Sequence, residues 1–411
     1  MLDSLFTHLA AAPRLRSSAF GRWLDSFTDR LGGLGYTPWS CRSIVVLAAD
    51  LGRWMAKRRL PAGALDESVV EAYVKNRKTQ PDRRRAAALH FLDHLRAEET
   101  VPPRPCVADL SPVTLHCARY EEHLRKERGA CHGTVEGYVA VVRGFLTRCF
   151  GTSPIELTTL EAGDIGDYLL DHARTRSPKR VEYVATALRS FFRFLFARGE
   201  TPSDLSTGIL TARTTRFAGV PRYLPAADVE KLLEACDLDT PGGRRDHAIL
   251  LLLARLGLRA GEVAALELDD IRWRSGEIVV RGKGNVVDRL PLLREVGKAL
   301  ALYIVKDRPK ISSRQLFLRL CAPIRGLAGR EAISSVVCRA LELAGLHPPI
   351  RGAHILRHSL GTRMIRAGAS MAEIGEVLRH HSPGTTEIYA KVDFESLRAL
   401  AQVWPGQGGA R

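Results

Sequence analysis

Residues 354–358 read His354-Ile355-Leu356-Arg357-His358, and residues 378–389 read Leu378-Arg379-His380-His381-Ser382-Pro383-Gly384-Thr385-Thr386-Glu387-Ile388-Tyr389. Two further clusters lie upstream, Gly257-Leu258-Arg259-Ala260-Gly261-Glu262 and Gly282-Lys283-Gly284-Asn285. Singly, each has an ordinary reading. Arg259 and Glu262, three residues apart, suit a surface ion pair on a helix. Lys283 suits a solvated hairpin tip. His354 and Arg357 suit helix decoration, and Tyr389 suits a half-buried tyrosine with its hydroxyl satisfied.

The block that carries these clusters, about 225–404, has a mixed pattern. Asp228 to Ala235 and Asp246 to Leu256 read as helices. Three short strand-like runs follow, Ile271 to Trp273, Ile278 to Val280 and Val286 to Leu292. Ser275-Gly276 and the glycine-flanked Lys283 turn separate them, as hairpin turns do. Helices resume from Leu293, and Ser370 with Glu373 fits a capping box opening a helix that runs to Leu378. The order is helices, a three-stranded antiparallel sheet, then helices.

Outward from that block the chain is helical. Val45 to Met55, Ser68 to Val74 and Arg84 to Arg96 read as helices before Pro102, Pro103 and Pro105 interrupt the pattern. Thr134 to Cys149, Ala162 to His172 and Val181 to Arg198 repeat the plan. In the last of these Leu188, Phe191, Phe192 and Leu195 form a stripe that reads as a buried face. The two blocks look like a diverged internal repeat. Trp54 matches Phe145, Tyr73 matches Tyr168, and Phe91 and Leu92 match Phe194 and Leu195. Basic runs correspond too. Lys75, Arg77, Lys78 and Arg83 to Arg85 precede the last helix of the first block; Arg174, Arg176, Lys179 and Arg180 precede that of the second. A charge run is usually a solvated face. Its recurrence at equivalent places points to phosphate contact. Between about 205 and 224 the chain has Arg213, Arg216 and Arg222 and no acidic residue, which suits a basic linker.

The expected fold is therefore mainly α with a small antiparallel sheet. The expected divisions are an extra N-terminal helical domain at 1–104, a helical DNA-binding module at 110–204, a linker at 205–224 and a mixed α/β domain at 225–405.

Composition agrees with this size. With 411 residues and 45% hydrophobic content, the chain can bury several cores and does not read as disordered. A net charge of +16 makes a positive field that concentrates polyanions, nucleic acid above all; arginine-rich coding in a basic enzyme is the bland alternative. The eight cysteines include no C-x-x-C pair, so they read as reduced thiols in a cytoplasmic protein rather than zinc ligands. His116-Cys117 and Cys131-His132 lack the short spacing of structural zinc sites. No signal peptide is evident, and the longest apolar run, Ala248 to Ala254, is too short for a membrane span. There is no phosphate-binding P-loop.

In their order and spacing Arg259, Lys283, His354, Arg357, His380 and Tyr389 resemble the tyrosine recombinase, or phage integrase, family, particularly its Xer-like bacterial members. The family places an arginine in a G-L-R-x-x-E turn, a lysine in a β-hairpin, then H-x-x-R-H, then L-x-H followed nine residues later by the nucleophilic tyrosine. The resemblance is specific over about 225–395 and looser over 110–204, where the family has a helical core-binding domain.

The chemistry needs such a set. Two guanidinium forks can neutralise the nonbridging oxygens of a phosphodiester as charge develops. A phenol with a reference pKa near ~10 needs help losing its proton. The resemblance assigns that help to His354, leaving-group protonation to Lys283, a phosphate hydrogen bond to His380 and orientation of the site to Glu262. It implies a 3′-phosphotyrosyl intermediate, no metal or other cofactor, double-stranded DNA as partner, and self-association in a tetrameric synapse, with sister recombinases in some systems. Phe394, Leu397, Leu400, Ala401 and Trp404 fit a terminal helix that packs on its own domain or docks into a neighbouring protomer.

Departures are Arg379 where glycine is common, the extra imidazole of His381, and Val286-Val287 where basic residues are usual. The expected activity is integration, excision or transposition of a mobile element. A type IB-like topoisomerase shares the chemistry, and a non-catalytic accessory DNA-binding protein would lack part of the set.

Overall fold

A computed structural model of the chain describes residues 2–6, 11–77, 79–104, 111–151, 153–209, 222–282, 286–380 and 382–392. The chain divides into two compact units, one of residues 105–218 and one combining 1–104 with 219–411.

The first hundred residues hold α1 (Leu2–Leu5), α2 (Ala11–Arg16), α3 (Gly21–Gly33), α4 (Pro38–Lys57), α5 (Glu67–Lys75) and α6 (Pro81–Ala97). Their boundaries follow local chemistry. Thr37 caps α4 by accepting the Ser40 N–H at 3.2 Å, with Pro38 in the first turn, and Asp66 caps α5 by accepting the Val69 N–H at 2.8 Å. These helices close around their own core, with Phe20, Phe27, Val45, Tyr73, Phe91 and Leu92 fully buried. The three helices before α4 were not anticipated, because α1 and α2 are too short to show a period.

The second unit holds α7 (Pro112–Glu122), α8 (His132–Phe150), α9 (Ala162–Thr175) and α10 (Pro178–Ala197) around a separate core. Its internal geometry parallels that of the first module. Phe27 meets Phe91 edge-on at 5.0 Å and 77°; Tyr120 meets Phe191 at 5.1 Å and 74°. Trp54 meets Tyr73 at 5.6 Å, and Phe145 meets Tyr168 at 5.4 Å. The last helix of each module ends alike. Glu99 and Gly199 have positive φ, and Leu95 and Leu195 accept the N–H five residues on, from Thr100 and Glu200. That cap puts Phe91 level with Phe191, not with Phe194. A slip of three residues is nearly one helical turn and returns to the same face, so an apolar pattern alone does not exclude it.

The remainder of the first unit holds α11 (Ala226–Glu234), α12 (Pro241–Arg255), α13 (Ala260–Ala265), β1 (Ile271–Arg272), β2 (Glu277–Arg281), β3 (Val287–Pro291), α14 (Arg294–Lys306), α15 (Gly329–Leu343), α16 (His354–Arg366), α17 (Met371–Leu378) and α18 (Pro383–Thr386). The strands form an antiparallel sheet in the order β1-β2-β3, with Ile278 opposite Ile271 and Leu290, and Val280 opposite Asp288. Helix α12 is apolar on all sides from Ala248 to Ala254 because it is buried on all sides, between α14, α15 and α16. Among the described residues no helix is long and apolar enough to cross a membrane.

Candidate active site

Four local devices bring the sequence clusters together. Gly257 has φ +60, and a Cβ there would fall 2.7 Å from Leu378 and 3.0 Å from Leu360. The turn before Arg259 therefore packs directly on α16 and α17, which only glycine permits. Arg259 then opens α13, where the Glu262 carboxylate accepts the Arg259 backbone N–H at 2.8 Å. On α16, residues 354, 357, 358 and 361 share one face by helical spacing. Helix α17 starts at the Ser370–Glu373 capping box and ends with Arg379 in the left-handed region, and His380 N–H returns to the Gly375 carbonyl at 2.9 Å. That reversal sends the chain into the 3-10 turn Glu387–Val392 carrying Tyr389.

Arg357 is 2% exposed and has no carboxylate partner among the described residues. Its Nη1 and Nη2 donate to the Gly257 and Leu378 carbonyls, one from each flanking cluster. Burial, then Arg259 and Arg379, push its pKa down to about 10, so it remains a cation at neutral pH. Arg259 is about one-third exposed and donates Nη1 to Glu262 Oε1 at 2.6 Å and Nη2 to the Arg379 carbonyl at 3.2 Å. Glu262 is buried. Burial alone would raise its pKa, but the Arg259 N–H and the guanidiniums of Arg379 and Arg259 outweigh that and hold it below the ordinary value.

Tyr389 is fully buried, and burial pushes its phenol up to about 12 against an opposing pull from Arg357. Its ring lies over Gly361, where an added Cβ would come within 2.5 Å of it. Its hydroxyl meets His358 Nδ1 at 3.1 Å. His358, not His354, is therefore the imidazole on the phenol. His354 is exposed at the start of α16, one turn away, with its ring 4.4 Å from that of His358. Burial first, then His354, Arg357 and His380, push His358 down to about 4, so it is neutral at pH 7 and a hydrogen-bond partner for the phenol. His380 stacks on Tyr389 at 6.4 Å and 4°, and its Nδ1 meets Thr386 Oγ1 at 2.8 Å. Burial, Arg357 and Arg259 bring it also to about 4.

An open cleft is lined by Arg259, Glu262, Gly282, His354 and Arg357. Lys283 lies outside the described residues, as do Lys78, Arg213, Arg216, His381 and the segment with Phe394, Leu397, Leu400, Ala401 and Trp404. Gly282, the residue before Lys283, is on the rim of this cleft. In the other unit Arg174, Arg176, Lys179 and Arg180 are all exposed, Arg174 pairing with Asp171 at 3.3 Å and Arg180 lying over the Tyr183 ring at 4.9 Å. Among the described residues no group of three or more His, Cys, Asp or Glu could hold a metal ion.

Two residues that contact this set escaped the sequence reading. His358 was quoted within its motif but given no role; the signal was its position one turn before Gly361. Arg379 was noted only as a departure, and its side chain proves to lie on Glu262 at 2.6 Å.

Known proteins resemble this chain in sequence and in fold. The phage integrase family model matches residues 222–396, and the phage integrase N-terminal SAM-like domain model matches 117–199. A Sinorhizobium fredii protein, y4rA, an integrase/recombinase by name, is 40% identical over 387 residues, 94% of this chain and 94% of that protein. Tyrosine recombinase XerD of Listeria monocytogenes is 32% identical over 271 residues, 65% of this chain and 90% of that protein. The crystal structure of XerH site-specific recombinase in a post-cleavage complex with its difH substrate shares the fold, with a TM-score of 0.54 at 18% identity over 72% of this chain and 90% of that one. The chain belongs to the phage integrase family of tyrosine recombinases, and is a site-specific recombinase that cleaves and rejoins DNA.

Proposed function

We propose that Tyr389 attacks the scissile phosphodiester, leaving a 3′-phosphotyrosyl bond and a free 5′-hydroxyl. The observation that carries this is the Tyr389 hydroxyl held 3.1 Å from a neutral His358 with Arg357 buried beside it. Arg357 and Arg259 donate to the nonbridging oxygens, where a fixed donor is worth most. His358 orients the phenol through their hydrogen bond, and His354, one turn away on the same face, takes the phenolic proton as general base. Lys283 protonates the departing 5′-oxygen, His380 donates to the phosphate, and Glu262 holds Arg259. The chemistry uses no metal or other cofactor.

Residues 110–204 form the core-binding module on duplex DNA, with Arg174, Arg176, Lys179 and Arg180 on the phosphates and Arg213 and Arg216 in the linker. Residues 1–104 are a diverged copy of that module; the matched aromatic pairs and helix ends support this. Recombination proceeds in the cytoplasm in a tetrameric synapse, with or without sister recombinases, and serves integration, excision or transposition of a mobile element.

The test is a nicked duplex carrying a site selected from a randomised library by the full-length chain. The wild type traps a covalent complex on it. Tyr389→Phe abolishes trapping and retains binding. Trapping that survives this substitution removes Tyr389 as the nucleophile. Efficient plasmid relaxation by a monomer without strand exchange would favour the topoisomerase reading.

A further inference from the structure

The side chain of Arg379 has no part in the mechanism above, yet it contacts Glu262, which lines the cleft. Its backbone sits at φ +52, a region that L side chains avoid and glycine enters freely. A residue needed only to end α17 would be glycine. Instead the chain holds a long cation there, 8% exposed, with Nη2 on Glu262 Oε2 at 2.6 Å and Nε 3.6 Å from Asp288 Oδ2 on β3. Nε and Nη1 are buried with no hydrogen-bond acceptor among the described residues.

The charges nearby are unbalanced. Arg259, Arg357 and Arg379 gather around Glu262, which contacts Arg259 and Arg379, while both Arg357 donors go to carbonyls. A buried guanidinium with unused donors is costly unless an anion arrives. The segment is also tied to both other arginines. The Arg379 carbonyl accepts from Arg259 Nη2 at 3.2 Å, and the preceding Leu378 carbonyl accepts from Arg357. One turn thus orients two guanidiniums through its backbone and contributes a third through its side chain.

We propose that Arg379 is a third guanidinium of the phosphate site, donating Nη1 to the scissile phosphodiester while Nη2 stays on Glu262 and Nε stays toward Asp288. This rests on reading the pocket as the seat of phosphoryl transfer. The extra cation shares the negative charge with Arg259 and Arg357 and fixes Glu262 between two cations.

The test uses full-length protein and the selected nicked duplex, with the scissile position either a phosphate or a neutral methylphosphonate. Glycine suits the backbone at this positive φ, which offsets part of the lost Arg379–Glu262 pair, and cooperative melting of Arg379→Gly confirms that it folds. On the phosphate, Arg379→Gly and Arg379→Ala trap covalent complex about 100-fold more slowly than wild type, the scale of one lost transition-state donor. On the methylphosphonate the gap between variant and wild type narrows to less than about tenfold, because the charge that Arg379 neutralises is gone. An equal deficit on both substrates, or none on either, overturns the proposal. A second arm needs no catalysis: inorganic phosphate raises the melting temperature of the wild type and does so less for Arg379→Ala. Equal shifts overturn the proposal. Trapping by Tyr389→Phe, or no trapping by wild type, counts against the mechanism itself and leaves the phosphate arm to judge Arg379.

Discussion

Replacing Glu262 by alanine takes the nearest carboxylate from two cations and, among the described residues, leaves Arg379 only Asp288 at 3.6 Å. Glu262 is 6% exposed and accepts from the Arg259 N–H at 2.8 Å, Arg259 Nη1 at 2.6 Å and Arg379 Nη2 at 2.6 Å. Breaking a buried pair by deleting one partner costs about 3–5 kcal/mol, most of it the unpaired charge left behind. The two guanidiniums differ in how they recover. Arg259 is 36% exposed at its side chain and can turn to water, so its share is about 1 kcal/mol or less. Arg379 is 5% exposed at its side chain and cannot, so it carries most of the cost. The expected loss is therefore about 3–4 kcal/mol, felt where α13 and α17 meet. Hydrogen exchange followed on peptides from α13 and α17 reads it as a fall in opening free energy. The pH dependence gives a second reading. The folded pKa of Glu262 lies below its ordinary value, so its stabilising effect is complete above the unfolded value and fades as pH falls through the folded one. The gap between wild type and Glu262→Ala should hold from pH 7 to 5 and close in more acid solution. A gap under about 0.5 kcal/mol at pH 7, or one that widens in acid, would refute this account of how the arginines are held.

Three further outcomes are expected. Ser370→Ala removes the N-cap of α17 and should lower its local stability by about 1 kcal/mol, read by exchange on residues 371–378, with a change under a few tenths counting against the capping role. Gly361→Ala puts a Cβ within 2.5 Å of the Tyr389 ring and should displace it, cutting covalent trapping by about 100-fold although alanine is the better helix former; unchanged trapping would show that Tyr389 reacts from elsewhere. His358 and His380 are held near 4 in the fold against an ordinary 6.5, so the unfolded chain takes up protons first as pH drops. Stability should be flat above pH 6.5 and fall toward pH 4, with a shallower slope in His358→Gln; an unaltered slope would remove His358 from the account.

Much of the fold could be read along the chain because its determinants are local. Apolar spacing marked α4 to α6 and α8 to α12 but not α7, the Ser275-Gly276 turn separated β1 from β2, and Ser370 with Glu373 marked the start of α17. Readings slipped where the determinant lay elsewhere. Helices α1 and α2 are held by pairing Arg16 with Asp3 and Asp25 and by packing, not by any periodicity of their own. The level of Phe91 against Phe191 depends on a cap hydrogen bond that an apolar pattern does not contain.

The active site divides the same way. Residue type, order and spacing along the chain carried the resemblance by which two arginines, two histidines and Tyr389 were expected to form one phosphoryl-transfer set. Which imidazole meets the phenol was settled by tertiary packing. Gly361 opens space on one face of α16, Tyr389 drops into it, and the nearest ring one turn back is His358. The place of Arg379 was likewise invisible in sequence. Its charge has meaning only once Gly257 lets the Arg259 turn close on α17 and brings Glu262 within 2.6 Å. Sequence specifies the groups; distance and burial, which set their protonation and partners, exist only after the chain has folded.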